Sequence, residues 1–312
     1  MTKPIRNIAA SVRQRLTNAA KERHRPAAEL LQYFAMERFL YRLSQSPHRD
    51  RFVLKGAMML VAWRAPTTRP TMDIDLLGRG RNRTTDLEAT VRELCRLEVA
   101  PPDGLVFDAD SVVGEQITVE SEYVGVRVTF LATLGTSRVR MQIDVGFGDA
   151  VVDAETTIEM PTLLDFPPAR LTGYSRETAI AEKLNAMFQH GRLNSRMKDY
   201  FDIGLLAQHF EFTSEKLSRA ILATFTRRGT ALSATPIGLA DDFADEPGKQ
   251  VQWAAFLRKI QATTTTSSLL EQVRAIRRFL APVLGAMVEG APFARRWAPG
   301  GPWSANEGTS SA

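Results

Sequence analysis

The stretch Arg69-Pro70-Thr71-Met72-Asp73-Ile74-Asp75-Leu76-Leu77-Gly78 decides how this chain is read. Between Pro70 and Gly78, the apolar residues around two aspartates predict a strand over 72–77. Residues i and i+2 of a strand project from one face, so two carboxylates leave an otherwise apolar element side by side. Held that close they repel, and a divalent cation is the usual compensation. By themselves Asp73 and Asp75 also fit a solvated strand face. The surrounding sequence has to separate the two readings.

Upstream, Phe52-Val53-Leu54 predicts a short buried strand, and Lys55-Gly56-Ala57 leads into an apolar helix through Met58, Met59, Leu60 and Ala62. A helix N-terminus at a glycine would offer free amides and the positive end of a dipole to a phosphate, with Lys55 adding a point charge. Still further upstream, 5–22 and 26–45 carry helical periodicity. In the second, Leu30, Leu31, Phe34, Ala35, Phe39 and Leu43 form one stripe, with Arg38 and Arg42 off it. Downstream lie an arginine-rich loop, Gly78-Arg79-Gly80-Arg81-Asn82-Arg83, and a predicted helix over 84–97. Residues 101–120 are polar and show no readable period.

Two strands then alternate cleanly. Val124, Val126, Val128 and Phe130 share one face, and Val139, Met141, Ile143, Val145 and Phe147 share another, with Gly135-Thr136-Ser137 as the hairpin. Arg140, Gln142 and Asp144 therefore share the polar face of the second strand, making Asp144 a third candidate carboxylate. Pro161, Pro167 and Pro168 with Phe166 mark a boundary near residue 170. Beyond Ser175 the pattern is helical over 176–190, 196–210, 214–227, 250–262 and 266–289, with a loop over 229–248. The expected organisation is α+β: a mixed sheet-and-helix domain over 1–170, an all-helical lobe over 171–297, and a disordered polar tail over 298–312.

Composition bounds the function. At 312 residues, 44% hydrophobic and 24% charged, the chain is of ordinary globular type, which excludes a disordered or fibrous protein. Cys95 is the sole cysteine, so no intramolecular disulfide can form, which suits a reducing cytoplasm. The apolar runs are too short to span a membrane, and the N-terminus lacks a signal-peptide core. Net charge is +5, but unevenly spread. Residues 1–55 hold twelve Lys and Arg against four Asp and Glu, whereas 84–160 hold fifteen Asp and Glu against five Arg. That asymmetry suggests a polyanion-facing surface beside a carboxylate-rich region.

The rear half adds Glu182-Lys183 on one helix and Arg196-Met197-Lys198-Asp199-Tyr200-Phe201-Asp202 on the next, with Asp199 and Asp202 three apart on one helix side. The four histidines show no ligand spacing, and no nucleophile-elbow, Walker-A or dinucleotide-binding glycine pattern opens a helix. Taken together, Lys55-Gly56, the Arg69–Leu76 segment, Asp144, Glu182-Lys183 and Arg196-x-Lys198-Asp199-x-x-Asp202 resemble, over roughly 25–225, the AbiEii/AbiGii-type toxin family of nucleotidyltransferases, including the MenT-like toxins of type IV-like toxin–antitoxin systems.

The resemblance implies a polymerase-β-like minimal nucleotidyltransferase core with a helical second lobe. It implies a toxin of a two-gene toxin–antitoxin and phage-defence system, paired with a winged-helix antitoxin. Several related toxins transfer nucleotides from an NTP to the 3′ acceptor end of tRNA and so stop translation. By position, Asp73 and Asp75 would be Mg²⁺ ligands, with Asp144 a third ligand or proton acceptor. Lys55, Gly56, Ala57, Lys183, Arg196 and Asp202 would hold the nucleotide, and Asp199 would be the essential acid of the last motif. One departure is Ala57, where many nucleotidyltransferases carry Ser or Gly.

The expected activity is therefore Mg²⁺-dependent nucleotidyl transfer to RNA at the tRNA acceptor stem, in the cytoplasm. The basic N-terminal region and the Gly78–Arg83 loop would track the RNA backbone. Alternatives are a nucleotidyl- or phosphotransferase acting on a protein, or a degenerate fold that only binds RNA or antitoxin. Thr67, Thr68 and Thr71 offer hydroxyls available to modification by an antitoxin.

Overall fold

A computed structural model describes residues 7–66, 69–80, 83–119, 123–149, 156–260 and 268–305. The chain divides near residue 174 into two compact units. No helix among the described residues is long and apolar enough to cross a membrane.

In the first unit, α1 (Ile8–Glu22) starts at Asn7, whose side chain accepts the Ala10 amide. Helix α2 (Ala27–Gln45) is buried on nearly every side, the mark of a helix enclosed by its domain. There follow β1 (Phe52–Lys55), α3 (Met58–Ala62), β2 (Ile74–Gly78), α4 (Thr84–Arg96), β3 (Leu105–Val119), β4 (Tyr123–Leu134), β5 (Ser137–Phe147), β6 (Thr156–Glu159) and β7 (Arg170–Gly173). The seven strands form one mixed sheet ordered β3-β4-β5-β2-β1-β7-β6. Phe39 of α2 meets Phe107 of β3 and Phe130 of β4, with ring centroids 5.6 and 5.1 Å away. Leu87, Val91 and Leu94 of α4 line the same core as Phe39, Leu76, Ile143 and Val145. Both helices thus cover one face of the sheet.

The unreadable segment 101–120 contains the fifteen-residue strand β3. Its burial alternates through Leu105, Phe107 and Ala109, then changes phase so that Val112 is the next buried residue. A bulge between Asp108 and Val113 causes the shift. There the Ser111 hydroxyl takes the amide of Leu131 and itself donates to the Asp108 carbonyl. A phase change in mid-strand erases the period-two signal that a sequence reading depends on.

Arg38 and Arg42, expected to help track RNA, are enclosed instead. Arg38 is fully buried, and both guanidiniums converge on Asp103, which is 1% exposed. Arg42 grips it with two bonds of 2.6 and 3.1 Å, Arg38 Nε donates at 3.1 Å, and the Leu105 amide adds a fourth bond. Arg38 also lies 4.1 Å from the Tyr41 ring centroid, and Arg42 lies 4.8 Å from that of Phe107. Long side chains on α2 therefore reach into the protein because a carboxylate on a neighbouring loop is there to meet them. The N-terminal excess of positive charge shrinks accordingly, and Arg15, Arg25 and Arg49 are paired with Asp165, Glu29 and Asp50.

The second unit contains α5 (Arg176–His190), α6 (Met197–His209), β8 (Phe212–Thr213), α7 (Ser214–Arg227), α8 (Asp241–Ala244), α9 (Pro247–Lys259), α10 (Leu269–Glu289), β9 (Arg295–Trp297) and β10 (Trp303–Ala305). The helical reading of this region stands with two additions, the short helix α8 within the loop expected over 229–248 and a small antiparallel sheet ordered β10-β9-β8. The expected helix ends at 261–262 and 266–267 lie outside the described residues. The polar tail expected from residue 298 is structured as far as 305, because Trp303 stacks on Phe279 and its indole donates to the Phe279 carbonyl at 2.8 Å. Residues 306–312 lie outside the described residues.

Two stability predictions follow from the α2 cluster. Asp103→Ala leaves two buried guanidiniums without their counter-charge and should cost about 3–5 kcal/mol in urea denaturation. Replacing all three residues together by Met, Leu and Leu should recover much of that loss. Glu37 is the second case. Burial raises its carboxyl to about 7, against the opposing pull of the Leu163 amide and Arg38. Because the folded state holds this proton more tightly than the unfolded chain, stability should fall as pH rises from about 4.5 towards 7. Glu37→Gln should remove that slope in melts run across the same range.

Candidate active site

Five strands set the site through their register. Antiparallel pairing places Lys55 of β1 opposite Asp75 of β2, and parallel pairing places Asp75 beside Asp144 of β5. Antiparallel pairing then places Asp144 opposite Arg127 of β4, and Arg127 opposite Glu115 of β3. One row across the sheet therefore reads Glu115, Arg127, Asp144, Asp75, Lys55. Charge alternates along it except at the central pair, where two carboxylates stand on adjacent strands. Asp73 sits just before β2 and joins them, and carboxylate oxygens of Asp73, Asp75 and Asp144 all lie within 4.8 Å of one another.

Asp73 and Asp144 are each held by a neighbour. Thr71 Oγ1 donates to Asp73 Oδ1 at 2.6 Å. Arg127 donates to both oxygens of Asp144, at 2.8 and 2.7 Å, and Gln142 adds a longer contact. This fork geometry fixes the plane of a carboxylate as well as its position. Thr71, read in the sequence as an accessible hydroxyl, is buried and engaged. Thr67 and Thr68 lie outside the described residues.

Gly56 and Ala57, expected to cradle a phosphate, are constrained by their surroundings. Helix α3 has five residues, too few for aligned peptide dipoles to sum to a useful field. Gly56 has φ +70°, and a Cβ there would stand 1.9 Å from Asp75 Oδ2. Glycine is needed at 56 for its left-handed backbone and because the Asp75 carboxylate occupies the space of a side chain. Ala57 is 3% exposed, its methyl packed inward.

Lys55 Nζ pairs with Asp149 Oδ2 at 2.8 Å and lies 5.4 Å from the centroid of the Tyr174 ring. Sequence reasoning missed both Asp149 and Arg127. Arg127 was within reach: each step back along β4 from the Gly135-Thr136 turn meets the matching step forward along β5, and seven steps out Arg127 meets Asp144. Asp149 carried no such signal, since it follows the strand end and the left-handed Gly148 (φ +83°). The Gly78–Arg83 loop leaves β2 three residues past Asp75, about 10 Å along the strand, at the end where β1 begins. Arg81 lies outside the described residues.

The remaining predicted residues come together within the second unit. Lys183 on α5 bridges two carboxylates of α6, Asp199 at 3.2 Å and Asp202 at 2.8 Å, and Arg196 Nε donates to Asp199 at 2.6 Å. Both aspartates are at most 1% exposed. Burial alone would raise the Asp199 carboxyl, but Lys183 and Arg196 outweigh it and hold the group below the usual range. Asp199 is thus an ionised anchor for two cations.

The donor set in the first unit is all carboxylate oxygen, which suits a hard divalent cation such as Mg²⁺ or Mn²⁺ rather than zinc or copper. The electrostatics agree, because only the Asp75–Asp144 step lacks a cation between its charges. Among curated proteins none matches the chain significantly. Solved structures similar to it include MenT4, a nucleotidyltransferase toxin from Mycobacterium tuberculosis, at 18% identity and a TM-score of 0.47 over 89% of this chain and 98% of that one. Another is JHP933 from Helicobacter pylori, at 17% identity and a TM-score of 0.44 over 81% and 90%. The profile of the family described as nucleotidyl transferase AbiEii toxin, type IV TA system, matches residues 38–281. With most of its length matched, this chain belongs to the AbiEii family of nucleotidyltransferase toxins of type IV toxin–antitoxin systems.

Proposed function

We propose that this toxin uses Mg²⁺ to move a nucleotide from an NTP to an RNA acceptor, the 3′ end of tRNA, and so blocks translation. The observation that supports this most is the convergence of Asp73, Asp75 and Asp144 at the one uncompensated step of the charged row. Phosphoryl-type transfer asks little of a protein beyond cations, phosphate-facing charge and positioning. The tRNA acceptor comes from the family resemblance.

In this reading Asp73 and Asp75 hold the cations, Thr71 fixes Asp73, and Arg127 fixes Asp144 as a further ligand. Magnesium bound there supplies the Lewis acidity that favours ionisation of the RNA hydroxyl and neutralises the departing pyrophosphate. Lys55, kept in place by Asp149, presents its charge to the triphosphate. Ala57 offers only a backbone amide. In the second unit Lys183 and Arg196 are the proposed nucleotide-facing cations, with Asp199 and Asp202 holding them. The cognate antitoxin, proposed to be a winged-helix protein, would restrain the toxin in the cell.

Incubation with total tRNA, Mg²⁺ and each labelled NTP in turn should label the RNA at its 3′ terminus. No transfer to any RNA in a broad pool would overturn the acceptor assignment, and label appearing on protein would redirect it. Asp73→Asn and Asp75→Asn should each lower transfer on the order of a hundredfold or more. Mn²⁺ should raise the melting temperature of the wild type and leave both variants unmoved. Without metal, the variants should melt at or above the wild-type temperature, because each removes like-charge repulsion.

A further inference from the structure

The sheet face opposite α2 and α4 is open along β3, β4 and β5. Register places Arg138, Arg140, Gln142 and Asp144 of β5 beside Thr133, Leu131, Thr129 and Arg127 of β4. On β3, Val106 pairs with Thr133 and Val113 with Thr129. Val106 and Val113 are 65% and 60% exposed, Leu131 is 39% exposed, and Arg138 and Arg140 are exposed too. Such apolar side chains standing clear on a sheet face are unusual unless something lies against them.

The face also carries two arginines without a carboxylate. Many arginines of the first unit, among them Arg15, Arg25, Arg38, Arg42, Arg49, Arg92, Arg127 and Arg170, are each paired with one. What distinguishes Arg138 and Arg140 from other arginines unpaired among the described residues, such as Arg23, Arg64 and Arg83, is their place in the row of side chains leading to Asp144. Among the described residues, the side chains of Arg138 and Arg140 enter no hydrogen bond or ion pair. Asp108 is exposed on the same face, but its carboxylate accepts the amides of Asp110 and Ser111. Two uncommitted cations therefore stand on β5, the strand that also carries Asp144.

We propose that this open face is the track for the single-stranded 3′ segment of the RNA acceptor, an assignment that rests on the reading of the function above. Residues two apart on a strand are separated by about 7 Å, the scale on which successive phosphates follow one another along an extended nucleic-acid chain. With its terminal hydroxyl at the carboxylates, an RNA strand running back along β5 passes Gln142, then sets successive phosphates against Arg140 and Arg138. Val106, Val113 and Leu131 give its bases a flat apolar surface, and Thr129 and Thr133 offer hydroxyls. Phosphate contacts of this kind confer affinity and register without reading sequence.

The test measures binding of the full-length toxin to a fluorescein-labelled 12-nucleotide single-stranded RNA by anisotropy, from 50 to 200 mM salt. An Arg138→Ala/Arg140→Ala variant should bind more weakly, its slope of log K against log salt shallower by about 1.4, because each lost single-strand phosphate contact removes about 0.7. Its KM for RNA should rise while its melting temperature and Mg·NTP affinity match wild type. An Arg258→Ala/Arg278→Ala variant, losing the same charge from exposed sites in the second unit, should keep the wild-type slope. If wild type labels RNA but the Arg138/Arg140 variant keeps the wild-type slope and KM, the track is wrong and the function stands. If wild type labels no RNA, the functional reading fails and takes the track with it. If the variant loses labelling of a protein while RNA binding is unchanged, the face serves a protein and the proposal is overturned.

Discussion

Parallel pairing of β2 with β5 sets Asp75 directly beside Asp144, and the rest of the first unit is arranged around that repulsion. Like charges directly opposite one another weaken a pair of strands. A sheet under selection for stability alone would place a cation or an apolar residue at one of these positions. Every flanking step of the row has the compensation that the centre lacks, with Lys55 outside Asp75 and Arg127 outside Asp144. Gly56 gives up a side chain so that the Asp75 carboxylate fits. The instability is confined to one pair and stabilised from both sides, which is how a site that concentrates negative charge stays folded.

Charge elsewhere is used in a different way. Asp103 inside the first unit and Asp199 and Asp202 inside the second are buried carboxylates, each held by cations. Removing one partner of such a pair strands a charge in a poor solvent for it. These networks pin α2 to its loop and α5 to α6. The acidic excess of the middle of the sequence thereby acquires more roles than its composition suggested. Asp103 anchors α2, Glu115 and Asp144 belong to the charged row, Asp149 holds Lys55, and Glu88 accepts the Gly114 amide at the β3 bulge.

The sequence was legible where one period held throughout. The alternation of Val126, Val128 and Phe130, and of Val139 through Val145, gave β4 and β5 and put Asp144 on the polar face. Helices α5, α6 and α7 followed from the 3.6-residue repeat. Legibility failed where a local event broke the period, as at the bulge in β3, or where a residue's role is spatial. Asp149 has no periodic relation to Lys55, and the burial of Arg38 and Arg42 depended on a carboxylate some sixty residues away. Charge counts cannot tell a buried guanidinium from an exposed one.

By itself, then, the sequence determined the candidate chemistry: two aspartates at i, i+2, a third on an alternating strand, lysines and aspartates at helical spacing, and a series of motifs matching one toxin family. These are local or ordered along the chain, so they survive without coordinates. Only the tertiary structure decided which arginines face outward and that Gly56 makes room for a carboxylate. It also showed that Lys55 and Asp144 each come with a partner. Those facts depend on strand register and on contacts between distant segments, where a shift of one residue would turn each of these side chains to the other face.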